Sequence, residues 1–184
     1  LMHIYLIEAG PRLLAGMSEE SSAHAEQFLR EMGVNILLNK RVVDYRDHKV
    51  VLEDGTEIAT RTFIWVSGVT GVTIGNLDAS LIGRGGRIKV DSFNRVEGMN
   101  NVFAIGDQCI QLADENYPNG HPQLAQVAIQ QGELLAKNLI RMEKGQEMKP
   151  FHYRNLGSMA TVGRNRAVAE FSKVKMQGWF AWVM

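Results

Sequence analysis

A chain of 184 residues has room for one or two domains, each with a core. Its 20 Lys and Arg offset 20 Asp and Glu, so no basic field points to nucleic acid or to acidic partners. The single cysteine, Cys109, excludes an internal disulfide and any CxxC redox or zinc motif within these residues; no secretory leader is visible in them, and they hold no run of about 18 apolar residues able to span a bilayer.

His3 to Ile7 reads as a strand ending at Glu8, with Ala9-Gly10-Pro11 as the turn after it. Ser18-Glu19-Glu20-Ser21 supplies a helix start with acids in the first turn. Ala25, Phe28, Leu29 and Met32 recur at helical spacing, and Gly33 stands where a left-handed cap would end the helix. A strand from Val34 to Leu38 completes strand–helix–strand, the parallel crossover unit. Arg41 to Tyr45, Lys49 to Leu52 and Thr56 to Ile58 then form a small antiparallel meander, with Glu53-Asp54-Gly55 as the turn of its second hairpin. Thr62-Phe63-Ile64-Trp65-Val66 has the continuous apolar pattern of a strand buried on both faces.

Ile74 to Gly86, with Gly75, Gly83, Gly85 and Gly86, reads as a connector. An alternating strand from Arg87 to Asp91 follows it, and then a short apolar strand from Val102 to Ile105 that runs into Gly106 and Asp107. His121-Pro122 precedes a long helix over about Gln123 to Lys144, which Pro150 breaks off. Residues 151–171 are β-rich and turn-rich. The first strand starts with no lead-in and Trp179-Phe180-Ala181-Trp182-Val183-Met184 is apolar to the last residue, so the chain is expected to be a piece of a longer protein.

Several of these positions carry candidate chemistry. Glu8 ends a strand where an acid accepts ribose hydroxyls of an adenine dinucleotide and repels a 2′-phosphate, although a solvated acid at a strand end is the plainer reading of that residue alone. Gly68 and Val69 follow the apolar strand, where a glycine lets a nucleotide approach the backbone; an ordinary strand-exit turn explains them equally. Gly106 and Asp107 place a carboxylate beside a ligand crevice, with a helix-capping acid as the alternative. Gln126 and Gln130 stand four apart on one helix face, two neutral amides suited to the carbonyl oxygens of a quinone or flavin. By spacing alone, an exposed polar face is the better account of them. Cys109 is expected to be a buried thiol, and no pair of the five histidines has metal-ligand spacing.

Taken together, IYLIEAGPRLL (Ile4 to Leu14), FIWVSGV (Phe63 to Val69), VFAIGD (Val102 to Asp107), AQVAIQQG (Ala125 to Gly132) and GSMATVGR (Gly157 to Arg164) resemble the type II, non-proton-pumping NADH:quinone oxidoreductases. The resemblance runs along almost the whole chain. VFAIGD is shared by many flavoproteins; AQVAIQQG is much more specific. The resemblance implies an α/β fold: parts of two Rossmann-like FAD- and NAD(P)-binding domains, a small antiparallel β-meander and a C-terminal β-rich region. Its expected divisions are residues 1–73 in the NADH-binding domain, 74–150 in the FAD-binding domain, and 151–184 as a β region entering a membrane-associating segment.

It also implies FAD and NADH as cofactors. Glu8 would bind the NADH ribose, with Gly68 and Val69 flanking its nicotinamide nucleotide. Gly106, Asp107 and Gln126 would hold FAD, and Gln126 with Gln130 would line the site of a membrane quinone. Hydride would pass from NADH to flavin and electrons on to quinone, with no side chain acting as a general base and no metal. The implied location is peripheral, on the cytoplasmic side of the inner membrane. The glycine-rich fingerprints of the family fall outside these residues, so the isolated chain is expected to be soluble, inactive and prone to self-association. Two alternatives stay open: a soluble FAD-dependent reductase of another acceptor, and a non-catalytic flavin-fold binding or signalling module.

Overall fold

The structure, a computed structural model, describes residues 2–72, 74–171 and 174–184. The chain forms two compact units, Leu1–Trp65 with Leu156–Met184 and Val66–Asn155. The boundary expected at residue 73 falls on a position outside the described residues, as does residue 1.

In the first unit, β1 (Ile4–Ile7) and β2 (Val34–Leu37) pair in parallel, Ile4 opposite Val34 and Ile7 opposite Leu37. The crossover between them is α1 (Glu19–Glu31). Ser18 caps it, its side chain accepting from the Ser21 N–H, with Glu19 and Glu20 in the first turn against the positive end of the helix dipole. Gly33, at φ +83°, carries the chain out in a left-handed conformation that costs a glycine nothing. Ala25 is buried with Val162 and Val168, and Phe28 and Leu29 pack around them. Met32 lies just past the helix and is exposed.

The expected meander is β3 (Val42–Arg46), β4 (Lys49–Leu52) and β5 (Glu57–Ala59), antiparallel in that order. Gly55 turns the second hairpin at φ +83°, while Asp47 and His48 turn the first at φ +49° and +58°. Positive φ at both central residues is the hairpin turn that matches strand twist, and Asp tolerates it better than most side chains.

Thr62 to Val66 is not the buried strand that its apolar run predicts. None of its residues joins a ladder among the described residues; Ile64 is 74% exposed and Val66 84%. A strand buried on both faces needs neighbours along both edges and cover on both sides. Among the described residues of the first unit, Tyr45 stacks on Phe63, with ring centroids 4.9 Å apart, and Phe63 in turn meets Trp65.

The second unit is built on β6 (Ile88–Val90) and β7 (Cys109–Gln111), parallel with Ile88 opposite Cys109. Ile88, Val90, Val96, Ala104 and Cys109 form its core; Leu77, Leu81 and Ile82, from the segment expected as a connector, pack against them. The strand predicted at Val102 to Ile105 is reduced to a single bridge, Phe103 opposite Arg95. Asp91 causes this arrangement. Its side chain accepts the Phe93 and Arg95 N–H groups, and Asn94 turns at φ +62°, which folds residues 94–96 back onto 102–104. Regular pairing resumes after Asp107, so the acid stands between a bridge and a strand and not at a strand's carboxyl end.

The long helix α2 (Ala125–Glu143) follows, with Val127, Gln131 and Asn138 buried on one side. Asn138 and the Lys149 backbone exchange two hydrogen bonds, 2.8 and 2.9 Å, which fold the chain after Gly145 back along the helix. Phe151 and Tyr153 of the returning segment are buried with Val127.

The chain then re-enters the first unit as β8 (Ser158–Thr161), β9 (Ala167–Phe171) and β10 (Val174–Gln177), an antiparallel sheet with β9 in the centre. Ala167, Val168 and Ala169 are fully buried there, and Ala181 of the short α3 (Gly178–Val183) closes over the alanines. Glu170 ties this sheet to α1 by accepting the N–H and hydroxyl of Ser18, and those hydrogen bonds hold its carboxyl below the usual range.

Candidate functional site

The turn that carries Asp107 is a single 3-10 turn, Gly106–Gln108, entered in extended backbone at Ile105. Gly106 adopts φ +64°, and a Cβ there would lie 3.2 Å from the Ala128 Cβ, so glycine satisfies both the turn and the close approach of α2. Its N–H donates 2.7 Å to Oε1 of Gln131, a side chain 1% exposed. Gln131 Nε2 reaches the Cys109 sulfur at 3.6 Å, and the thiol donates to the Gly106 carbonyl at 3.5 Å. Burial pushes the Cys109 thiol up, so it serves as a neutral donor and acceptor inside the turn.

The Asp107 carbonyl accepts from Gln123 Nε2 at 3.2 Å, while the Asp107 side chain is exposed and makes no hydrogen bond or ion pair among the described residues. A carboxylate held out from a fixed turn, with both oxygens accessible, can accept two hydroxyls or bind a cation. Three or more His, Cys, Asp or Glu side chains grouped to hold a metal do not occur among the described residues.

Gly68 adopts φ +91°, and a Cβ there would meet nothing within 4 Å, so its backbone stands open to a ligand. Val69 beside it is 60% exposed. Gln126 and Gln130 both lie on α2, one turn apart and half-buried. Gln130 is already engaged: its Oε1 accepts the Arg154 N–H at 3.0 Å and its Nε2 donates to the Arg154 carbonyl at 2.9 Å. One amide hydrogen and one lone pair remain for a ligand. Gln130 also lines a shallow cavity of about 290 Å³ with Leu134, Phe151 and His152.

Glu8, in the first unit, is half-buried at the end of β1. Its backbone bonds to Leu37 and Lys40, and its Oε1 accepts the Gly10 N–H at 2.6 Å. The carboxylate is thereby oriented with its second oxygen available.

Sequence reasoning missed the residues that hold the turn, Gln131, Gln123 and Gln108, and the buried pair of His121 and Asp114. Nε2 of that histidine lies 3.0 Å from the aspartate, among the rings of Tyr117, Phe151 and Tyr153. The hydrogen bond from His121 holds the Asp114 carboxyl below its usual range. A usable signal for Gln131 was its place in the stripe Val127, Gln131, Leu134, Asn138, four positions with helical spacing that otherwise read as core.

An exposed acid on a rigid turn, an open glycine at positive φ and a helix packed on the turn are features expected where a dinucleotide is held, and residues 2–132 match the pyridine nucleotide-disulphide oxidoreductase family. The chain belongs to that family.

Within this oxidoreductase family, the chain is similar to a type II NADH:quinone oxidoreductase of Mycobacterium tuberculosis, with 34% identity over 98% of this chain and 40% of the relative. An internal alternative NAD(P)H-ubiquinone oxidoreductase of Arabidopsis thaliana mitochondria is 33% identical over 98% of this chain and 38% of its own length. The chain thus spans about two fifths of the length of the curated relatives it matches. NDH2 from Plasmodium falciparum, solved in complex with NADH, superposes on it with a TM-score of 0.84 over 98% of this chain and 53% of that one, at 19% identity. This likeness shows the fold, an α/β arrangement of the FAD/NAD-binding oxidoreductase type.

Proposed function

We propose that these residues work as part of a type II NADH:quinone oxidoreductase, a flavoprotein that oxidises NADH and reduces a membrane quinone. The observation that carries this reading is the Asp107 turn. It offers an unengaged carboxylate and is clamped by Gln131 to the helix on which Gln126 and Gln130 stand. The similarity to a quinone oxidoreductase along 98% of the chain supports it.

The open acceptors fit a flavin nucleotide. Asp107 would accept hydroxyls of its ribityl or pyrophosphate region, Gly106 would hold that acid at the ligand through the turn it forms, and Gln126 would bond to the flavin edge. FAD, when bound, supplies the chemistry, taking a hydride from NADH and returning electrons to a quinone. The protein's residues orient and exclude. Glu8 would accept the ribose hydroxyls of NADH and repel a 2′-phosphate, and Gly68 and Val69 would flank the nicotinamide nucleotide. Gln126 and the remaining amide valences of Gln130 would bond to quinone carbonyls without placing a charge in an apolar slot. Cys109 is buried and is the single cysteine of these residues, so they offer no second thiol with which it could form a disulfide.

In this reading residues 1–73 serve NADH, 74–150 serve FAD, and 151–184 lead to the membrane surface. There Trp179, Phe180 and Trp182, at 55%, 72% and 41% exposure, would sit at headgroup depth on the cytoplasmic side of the inner membrane. No described helix is long and apolar enough to cross a membrane. The 184-residue chain by itself is proposed to retain neither tight FAD nor turnover.

The test uses the full-length gene product containing these residues. Purified protein should carry one FAD, be reduced by NADH much faster than by NADPH, and turn over with ubiquinone or menaquinone analogues. Reduction by NADH with no transfer to any quinone would overturn the quinone assignment, and absence of flavin would overturn the whole reading.

A further inference from the structure

Three successive residues of the Asp107 turn are each tied by a glutamine amide. Gly106 donates to Gln131, Asp107 accepts from Gln123, and the side chain of Gln108 closes a two-bond ring with the backbone of Val72. The Val72 N–H donates to Gln108 Oε1 at 2.8 Å, and Gln108 Nε2 donates to the Val72 carbonyl at 2.7 Å. The first amide fixes the turn on α2, and the second ties it to the segment just ahead of that helix. The third reaches 36 positions back along the chain, to the loop that carries Gly68 and Val69.

Among the described residues, that loop has a further anchor beside Val72. The Gly71 N–H donates to the Gly85 carbonyl at 2.8 Å, and a Cβ on Gly71 would lie 2.3 Å from the Gly86 carbonyl oxygen. Both anchors are at the loop's end, and the Gly68 tip projects from them with nothing near its Cα side. Where the tip stands is therefore set by Gly71 and Val72, and Val72 is set by Gln108. An amide is the side chain this job requires: it presents one donor and one acceptor at the spacing of a peptide unit, so it pairs with a backbone as a neighbouring strand would. Glutamate lacks the donor and methionine lacks both groups.

We propose that Gln108 is a positioning residue that fixes the registry between the Gly68–Val69 loop and the Asp107 turn, and with it the registry between a bound nicotinamide nucleotide and the flavin. This rests on the reading that the loop serves NADH and the turn serves FAD. Gln108 itself touches neither ligand in this account; it acts through the Val72 backbone. Because hydride transfer depends steeply on the approach of the two rings, a loop that drifts changes the reduction rate before it changes the fold.

The experiment compares the full-length holoprotein with its Gln108→Met, Gln108→Glu and Gly71→Ala variants. FAD content comes from absorbance, stability from the thermal midpoint, and flavin bleaching by NADH from anaerobic stopped flow. Gln108 is only half-buried, so Gln108→Met should keep full FAD and the parent midpoint. Its NADH-dependent reduction, as limiting rate over half-saturating concentration, should fall about tenfold, the size expected for two lost hydrogen bonds that place a reactant. Gln108→Glu, which keeps the acceptor for the Val72 N–H, should fall less. Gly71→Ala, which moves the same loop from its other anchor, should reproduce the methionine variant's defect with FAD retained. The proposal is overturned if Gln108→Met is reduced as fast as the parent, or if it loses FAD together with rate. An unsubstituted protein that binds no FAD, or whose flavin NADH does not reduce, would instead sink the functional reading beneath it.

Discussion

Asp107 and Gly106 illustrate two different uses of a residue in one turn. The Asp107 side chain contributes nothing visible to folding, since its carboxylate has no hydrogen-bond or ion-pair partner among the described residues. Gly106 contributes through its backbone, by adopting φ +64° and donating to the buried Gln131. Asp107→Ala should therefore leave the thermal midpoint of the FAD-free full-length protein unchanged while weakening FAD about 10- to 100-fold, the range for a lost hydrogen bond to a charged group. Gly106→Ala should behave in the opposite order. A side chain forced to positive φ costs about 1 kcal/mol before the contact with Ala128 is counted, so stability falls first. Fluorescence titration with FAD, and thermal melts of both variants with the flavin removed, separate the two roles. A melt that drops for Asp107→Ala would mean that the acid is structural. Asp107 could be picked out in the sequence because an acid after a strand-like run and a glycine is locally unusual. For Gln131 the helical stripe signals burial, but its partner Gly106 is 25 residues away and no local pattern discloses that pairing.

At the scale of elements, α2 shows what helical spacing does and does not reveal. The helix and both its ends were legible to within two residues, from apolar spacing and Pro150. The face bearing Gln126 and Gln130 was legible as a polar stripe. What spacing does not disclose is that Gln130 and Asn138 each exchange a pair of hydrogen bonds with the returning segment, at Arg154 and Lys149, so these amides act as parts of the fold. The pair of His121 and Asp114 similarly fastens the loop ahead of α2. Asp114 accepts both His121 and the Asn116 N–H, and its carboxyl is held below the usual value. A depressed carboxyl contributes stability that is complete above the unfolded value, about 3.9, and is lost as pH falls through the lower folded value. Asp114→Asn keeps a neutral acceptor at both contacts and should cost about 1 kcal/mol at pH 7. The difference from the parent should narrow as pH falls below about 4, where the unfolded chain's carboxyl takes up its proton before the folded one does. Urea unfolding followed by far-ultraviolet circular dichroism at pH 7, 5 and 3 checks this, and a gap that stays constant to pH 3 would contradict it.

For the whole molecule, the surface itself carries information. The accessible area is 12472 Å². Large apolar side chains are prominent in it: Ile64, Trp65, Val66, Val69 and Val72 in one stretch, Trp179, Phe180 and Val183 in another. The first stretch is also where the strand prediction from sequence failed. Its composition correctly reports a segment suited to burial on two faces, but whether such a segment becomes a strand depends on neighbours supplied from elsewhere, and a local pattern carries no information about those. The crossover unit and the meander, by contrast, find their partners within about 60 residues and were legible for that reason. An apolar segment without a ladder partner is a template for association. The isolated 184-residue chain should therefore elute from size-exclusion chromatography as oligomers whose mass by light scattering rises with protein concentration. Ile64→Lys with Val66→Lys should shift it toward monomer, since charges at an unpaired edge oppose pairing. The same two lysines in the full-length protein should abolish FAD retention if that stretch is covered there by the rest of the polypeptide. A monodisperse monomer at about 100 μM for the unsubstituted chain would show that the exposed stretch is tolerated in water, and would remove the reason to look for what covers it.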